Sequence, residues 1–333
     1  MSGPLLEVRN LRTWFELFRG TVKAVDGIDF TLDTGEILGI VGESGGGKSV
    51  TGFSILGLID PPGRIAGGEV LFRGEDLLKK SEDEMRRIRG REISMVFQDP
   101  MTSLNPLQTI GRQIDEMLVL HTPLSPAGRR ARTLELLDDV GIPTPEDRLD
   151  CYPHQFSGGM RQRVVIAIAL AATPRLIIAD EPTTALDVTV QAQILALMER
   201  LVKRSGSALI LITHDLAVVS EMTHRVAVMY CGKMVEEAPT RELIARPHHP
   251  YTKGLLGSIP RMAGPRVRRL PQISGMVPSL FDLPKGCSFA PRCSFAAGRC
   301  FEEIPEMRVV APGRKVACHS PVGAEEGETK RAR

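Results

Sequence analysis

The sequence predicts an α/β protein: a mixed, mostly parallel sheet core, an antiparallel β subdomain, a helical insertion, and a small loop-rich C-terminal extension carrying cysteines. Three observations carry this. Short apolar runs such as Ile37–Val41 and Arg175–Asp180 alternate with stretches of helical spacing, as in strand–helix units. The glycine-rich segment GESGGGKS, residues 42–49, stands directly behind the first of those runs. From Pro247 onward the alternation fades, and Pro, Gly, Arg and Cys dominate.

Taken in order, residues 5–12 and 22–33 alternate polar and apolar and read as an antiparallel entry. Trp14 and Phe15 lie just beyond the first strand. An aromatic ahead of a phosphate-binding loop either stacks on a nucleotide base or packs as an ordinary core or surface ring. A helix is expected over 50–59, a strand and turn over 69–74, and a charged surface helix over 81–91. Residues 92–98 read as a buried strand ending at Gln98. Between 99 and 155 the character changes: 107–120 and 127–140 show helical apolar spacing separated by Pro-rich breaks, a helical insertion. Phe-Ser-Gly-Gly-Met follows at 156–160, then a helix over 161–172 that ends at Pro174, a buried strand over 175–180 and a helix over 188–202. Strands at 208–213, 225–230 and 233–236 and a helix near 240–245 complete the core. In such sheets phosphate chemistry gathers at the strands' C-terminal ends. The polar residues 323–333 are expected to be disordered.

Composition narrows the function. With 42 basic and 40 acidic residues the net charge is +2, and no basic block suggests a nucleic-acid partner. No apolar run approaches the ~20 residues of a membrane helix. The N-terminal residues have no signal-peptide pattern. A cytosolic protein that meets a membrane only through other subunits is expected, and there six cysteines point to thiols or metal rather than disulfides.

GESGGGKS fits the phosphate-binding loop G-x-x-x-x-G-K-[S/T]. Glycines 45, 46 and 47 let backbone N–H groups cradle anionic oxygens, with Gly42 and Ser44 completing the loop. Lys48 would reach the β- and γ-phosphates, Ser49 would hold Mg²⁺, and the helix beginning near Val50 would aim its dipole at the phosphates. The stretch 176–181 then delivers two adjacent carboxylates. Asp180 suits the Mg²⁺ shell and Glu181 suits the attacking water. Ser157-Gly158-Gly159 opens a helix and reads either as an ordinary N-cap or as a cradle for a nucleotide held by a second subunit. His214, after another buried strand, either bonds structurally or contacts a γ-phosphate.

In this order the motifs resemble those of the ATP-binding subunit of an ABC transporter, over roughly residues 5–250. In that family's terms GESGGGKS is the Walker A loop, Gln98 the Q-loop and FSGGM the signature. LIIADE is then Walker B, Ala185-Leu186-Asp187 the D-loop and His214 the switch histidine. The resemblance implies a nucleotide-binding domain over 1–255, with the helical insertion about 99–155, and an extension over 256–333. It implies Mg²⁺ held by Ser49, Gln98 and Asp180, catalysis by Glu181, His214, Lys48 and Gln98, and Phe15 ahead of Trp14 as the ring on adenine. Two cassettes would close on ATP, with Ser157, Gly158, Gly159 and Met160 of one reaching the nucleotide of the other. Met160 departs from the family's usual Gln, but the serine and glycines supply the main contacts.

The wording QDPMTSLNP, SGGMRQR and His249-Pro250-Tyr251-Thr252 is similar to the dipeptide/oligopeptide importer branch, which also holds nickel importers. Implied partners are a second, related cassette (a heterodimer), two transmembrane permease subunits and, indirectly, an extracytoplasmic substrate-binding protein. The implied location is the cytoplasmic face of the cell (inner) membrane, as a peripheral subunit. A soluble ABC ATPase of repair or translation would carry coiled coils or a second cassette, and this chain has neither.

Cys287, Cys293, Cys300 and Cys318 form Cys-x5-Cys-x6-Cys-x17-Cys. Four soft ligands in a loop-rich segment suit a four-thiolate Zn²⁺ site or an iron–sulfur cluster; four unrelated thiols are the plain alternative. The branch resemblance favours [4Fe–4S]. Cys151 and Cys231 read as ordinary thiols, and His319 as a bystander or substitute ligand.

Overall fold

The computed structural model describes residues 3–184, 186–259 and 272–323. In chain order the strands are β1 (Leu6–Leu17), β2 (Gly20–Leu32), β3 (Ile37–Val41), β4 (Gly63–Phe72), β5 (Glu75–Asp76) and β6 (Ile93–Val96). They continue with β7 (Leu176–Asp180), β8 (Ala208–Thr213), β9 (Arg225–Tyr230), β10 (Lys233–Pro239), β11 (Arg308–Ala311) and β12 (Arg314–Val316). They fall in two compact units, one built from Met1–Leu6, Leu32–Ile37 and Phe72–Ile212, the other from Glu7–Thr31, Leu38–Leu71 and Thr213–Arg333.

In the first unit β6, β7 and β8 run parallel, with Ile93 opposite Leu176 and Leu176 opposite Ala208. Every residue of these three strands is buried, which is why they read as continuous apolar runs rather than alternating ones. The helices Ile110–His121 and Pro126–Asp139 form the expected insertion. Each starts on a hydroxyl cap, Thr109 bonding Arg112 N and Ser125 bonding Gly128 N. The helix Glu82–Ile88 opens on a full capping box between Ser81 and Glu84, the pattern that made it legible. Helix Gly158–Leu170 is apolar all round from Val164 onward and correspondingly buried there.

In the second unit β2, β1 and β4 lie side by side. β1 runs on to Leu17, so Trp14 and Phe15 lie inside this strand rather than beyond it. β3 pairs parallel with β9, and β9, β10, β12 and β11 continue antiparallel. The extension is therefore less loop-rich than its composition suggests. It contributes a short helix, Gly298–Glu302, and the two strands β11 and β12, with Val316 opposite Glu236. Tyr230, Tyr251 and Phe289 pack ring against ring at 4.6–5.3 Å between centroids, in a core shared with Val41, Val219 and Leu243. Of the tail expected to be disordered, residues 323–333, all but Gly323 lie outside the described residues.

His249 caps the helix Pro250–Gly257, its Nδ1 accepting from Tyr251 N at 3.0 Å. Complete burial pushes its imidazole down to about 3 from 6.5. The unfolded chain takes up this proton below about pH 6.5 while the folded chain does not, so stability is lost as pH falls from 6.5 toward 3. Between pH 7 and pH 5 the loss from this group is about 2 kcal/mol. Urea unfolding at the two pH values should show that difference, and His249→Gln should remove this part of it.

Candidate functional site: the phosphate loop and the carboxylate strand end

The phosphate loop joins β3 to the helix Lys48–Ile55, as the motif requires. Two of its glycines are forced by backbone neighbours. A Cβ on Gly42 would stand 2.2 Å from the Met229 carbonyl oxygen, and one on Gly47 2.1 Å from that of Ala24. Gly47 caps the helix at φ +98°, a conformation that costs other residues energy. Ser44 and Gly45 are exposed, Gly46, Gly47 and Lys48 buried, Ser49 and Val50 half-buried. Lys48 Nζ donates to the carbonyls of Gly42 (2.8 Å) and Glu43 (3.1 Å). In the same unit Phe15 is half-buried, its ring against Gly63, while Trp14 lies under the cationic ends of Lys23 and Arg64. His214 is exposed at the end of β8, just before the helix Leu216–Met222 that Asp215 caps.

In the other unit Asp180 ends β7 at 2% exposure. Glu181 follows in the left-handed region, φ +45°, with its N–H on the Ile212 carbonyl at 2.8 Å. A non-glycine residue held there stores roughly 1–3 kcal/mol of strain and is common at working sites. The surroundings fix its carboxylate: Oε2 accepts from Gln98 Nε2 at 3.1 Å and from Thr184 Oγ1 at 2.9 Å. The structure thus brings Gln98 and Glu181 together, 83 positions apart in sequence. Thr184 and the left-handed backbone carried no signal in the sequence.

Ser157 is the N-cap of Gly158–Leu170, its hydroxyl accepting from Met160 N at 3.3 Å, so the plain reading of that motif holds for the chain by itself. Ser157 and Gly158 nevertheless stay exposed. Gly159 has a packing reason as well: a Cβ there would meet Val190 Cγ1 at 2.8 Å. Asp187 caps the helix Val188–Ser205 through Val190 N at 3.0 Å and is exposed; Ala185 lies outside the described residues.

The four tail cysteines line one small pocket with His249, Phe289 and His319. Backbone N–H groups of Phe289 and Ala290 face the Cys287 sulfur, that of Ser320 faces Cys318, and Phe295 N lies 3.4 Å from Cys293 Sγ. Burial raises the thiol pKa of Cys287, Cys293 and Cys318, the last to about 11. Soft donors converging on one pocket, with amides aimed at sulfur, fit thiolate ligation. Among the described residues, however, no three His, Cys, Asp or Glu side chains stand ready-made to hold a metal ion. Cys231 is buried and its thiol raised to about 11 by desolvation, and Cys151 is half-buried.

Residues 25–184 match the family described as ABC transporter, and residues 235–300 that described as the oligopeptide/dipeptide transporter C-terminal region. The dipeptide transport ATP-binding protein DppD of Escherichia coli is 49% identical over 318 residues, covering 96% of this chain and 97% of its own. The chain belongs to the ABC transporter family. OppD of Bacillus subtilis, an oligopeptide transport ATP-binding protein, is 54% identical over 304 residues, 91% of this chain and 85% of its own. The probable peptide ABC transporter ATP-binding protein y4tR of Sinorhizobium fredii is 53% identical over 315 residues, 94% of each. Among solved structures, the dimeric bacterial ABC transporter cassette MJ0796 superposes with TM-score 0.64 at 30% identity, over 71% of this chain and all but 1% of its own. An ABC ATPase of this fold implies ATP and Mg²⁺. Among the described residues no helix is long and apolar enough to cross a membrane.

Gly159 offers a test of packing within this ABC cassette. Gly159→Ala should cost about 1–3 kcal/mol through the Val190 contact, as overpacking does. Val190→Ala in the same chain should return most of that loss in thermal unfolding.

Proposed function

We propose that the chain is the ATP-hydrolysing subunit that powers import of dipeptides or oligopeptides through a membrane ABC transporter. The observation that carries this is the near-full-length similarity to the peptide-transport ATP-binding proteins, extension included. On this reading the cassette occupies residues 1–255 and the extension 256–333. ATP phosphates lie in residues 42–49, with Lys48 on the β- and γ-phosphates and Phe15 on the adenine. Ser49, Gln98 and Asp180 hold Mg²⁺, which when bound neutralises phosphate charge. Glu181 is the general base, and His214 contacts the transferring group. What supports the base assignment is the grip of Gln98 and Thr184 on its carboxylate, since a general base must be aimed before it can act. Gln98, the first exposed polar residue after β6 and just ahead of the insertion, can relay the state of Glu181 to the helices.

The Ser157-Gly158-Gly159-Met160 end, exposed at Ser157 and Gly158, would with the exposed Asp187 serve the ATP of a second, related cassette. Two permease subunits and, indirectly, an extracytoplasmic binding protein complete the transporter, with this subunit peripheral on the cytoplasmic face of the cell membrane. Glu181→Gln should bind ATP with native affinity and lose at least about 100-fold in turnover, measured with the partner subunits present. Near-native turnover would remove Glu181 from the role of base.

We also propose that Cys287, Cys293, Cys300 and Cys318 hold a [4Fe–4S] cluster, supported by their convergence on one pocket and the amides facing the sulfurs. An anaerobic preparation should be brown and carry iron and acid-labile sulfide in equal amounts. One equivalent of Zn²⁺ without iron would replace the cluster by a four-thiolate zinc site.

A further inference from the structure

Arg292 stands between two cysteines of the extension, yet its side chain is 5% exposed and fully engaged. Its Nη1 and Nη2 donate to the two carboxylate oxygens of Glu43 at 2.6 and 3.0 Å, a fork-on-fork pair. Nε donates to the Ser274 carbonyl at 3.1 Å, and Nη1 also to Tyr230 Oη at 3.3 Å. The guanidinium lies 5.9 and 6.0 Å from the ring centres of Tyr230 and Phe289.

Glu43 is the second residue of the phosphate loop, a position the motif leaves unspecified. Its N–H donates to Tyr251 Oη at 2.7 Å, so Glu43 is held at two points, by its carboxylate and by its amide. Its carbonyl accepts from Gly46 N and from Lys48 Nζ, each at 3.1 Å. A short chain of bonds therefore runs from Arg292 and Tyr251 through one residue to the ammonium and an amide of the loop.

We propose that Arg292 and Glu43 are a positioning pair for the triphosphate: Arg292 fixes Glu43, and Glu43 sets where Lys48 and the Gly46 N–H stand. This rests on the reading of residues 42–49 as the ATP phosphate site. Because linkage is reciprocal, nucleotide in the loop must in turn stabilise the segment around Arg292. The planar fork matters as well as the charge, so lysine is an incomplete substitute.

The test uses the intact chain and a fluorescent ATP analogue, with hydrogen exchange read over residues 286–293. Arg292→Ala and Glu43→Gln should each weaken nucleotide binding about tenfold, and Arg292→Lys by less. The Arg292→Ala, Glu43→Gln double variant should be no weaker than either single one, since one interaction is lost in all three. Nucleotide should slow exchange over 286–293 in the native chain and leave it unchanged in the variants. If Arg292→Ala does not fold, Glu43→Gln, which alters one carboxylate only, decides. Native-like nucleotide affinity in both folded variants, or exchange over 286–293 indifferent to nucleotide in the native chain, overturns the proposal while the ATP reading stands. Failure of the native chain to bind the analogue removes both.

Discussion

A phosphate-binding loop must hold several N–H groups facing inward against their mutual repulsion, and only close backbone support can do that. Here the support is three glycines pressed against carbonyls. Gly42 lies against Met229 and Gly47 against Ala24. Gly232, in the turn after β9, lies against Lys23 and Ala24 and joins the loop through its N–H to Gly46 O at 3.0 Å. Its own carbonyl accepts from Asp26 N at 2.9 Å. The loop is thus stitched to β2 on one side and to the β9–β10 turn on the other. Any side chain at these three positions would meet backbone, which cannot rotate away.

The carboxylate strand end solves a different problem. Asp180 and Glu181 are adjacent, but the change from extended to left-handed backbone between them sends them to separate surroundings. Asp180 keeps its place in a buried strand, and Glu181 turns to meet Gln98 and Thr184. The strain at Glu181 is tolerable because its N–H still finds the Ile212 carbonyl, so no buried donor is orphaned. In the proposed role of base, a carboxylate held by neighbours in this way has its orientation settled before water arrives.

Much of this was legible in the residues. The strand Ala208–Thr213 and the helix Thr240–Ala245 fall where apolar runs and turn signals put them. The loop and the Asp-Glu pair announce themselves by type and spacing. What escaped depends on contacts distant in sequence. β1 runs five residues past its expected end, with Glu16 N bonding Pro62 O at 3.1 Å, a pairing no local pattern reveals. The helix Pro250–Gly257 carries two glycines, poor helix formers, and Gly254 is there because Ile273 lies 2.7 Å from where its Cβ would be. β11 and β12 are only four and three residues long, and the pairing of β12 with β10 and of β11 with β12 is what makes them strands.

The support behind the phosphate loop is best understood through Glu236. This carboxylate is 1% exposed, accepts from the backbone N–H groups of His248 and His249 at 2.7 and 2.8 Å, and lies 3.7 Å from Arg314 on β12. Burial raises its pKa, the sign of a charge kept indoors at a cost. Such a group is retained only where its hydrogen bonds are needed. Those bonds fix the start of the helix that carries Tyr251, and Tyr251 Oη meets Glu43 N in the phosphate loop. From β10 to the loop, each step is a hydrogen bond made by a buried or half-buried group. This route and Arg292 of the extension together form the outer wall of the phosphate loop, and the cysteine pocket is built into that wall.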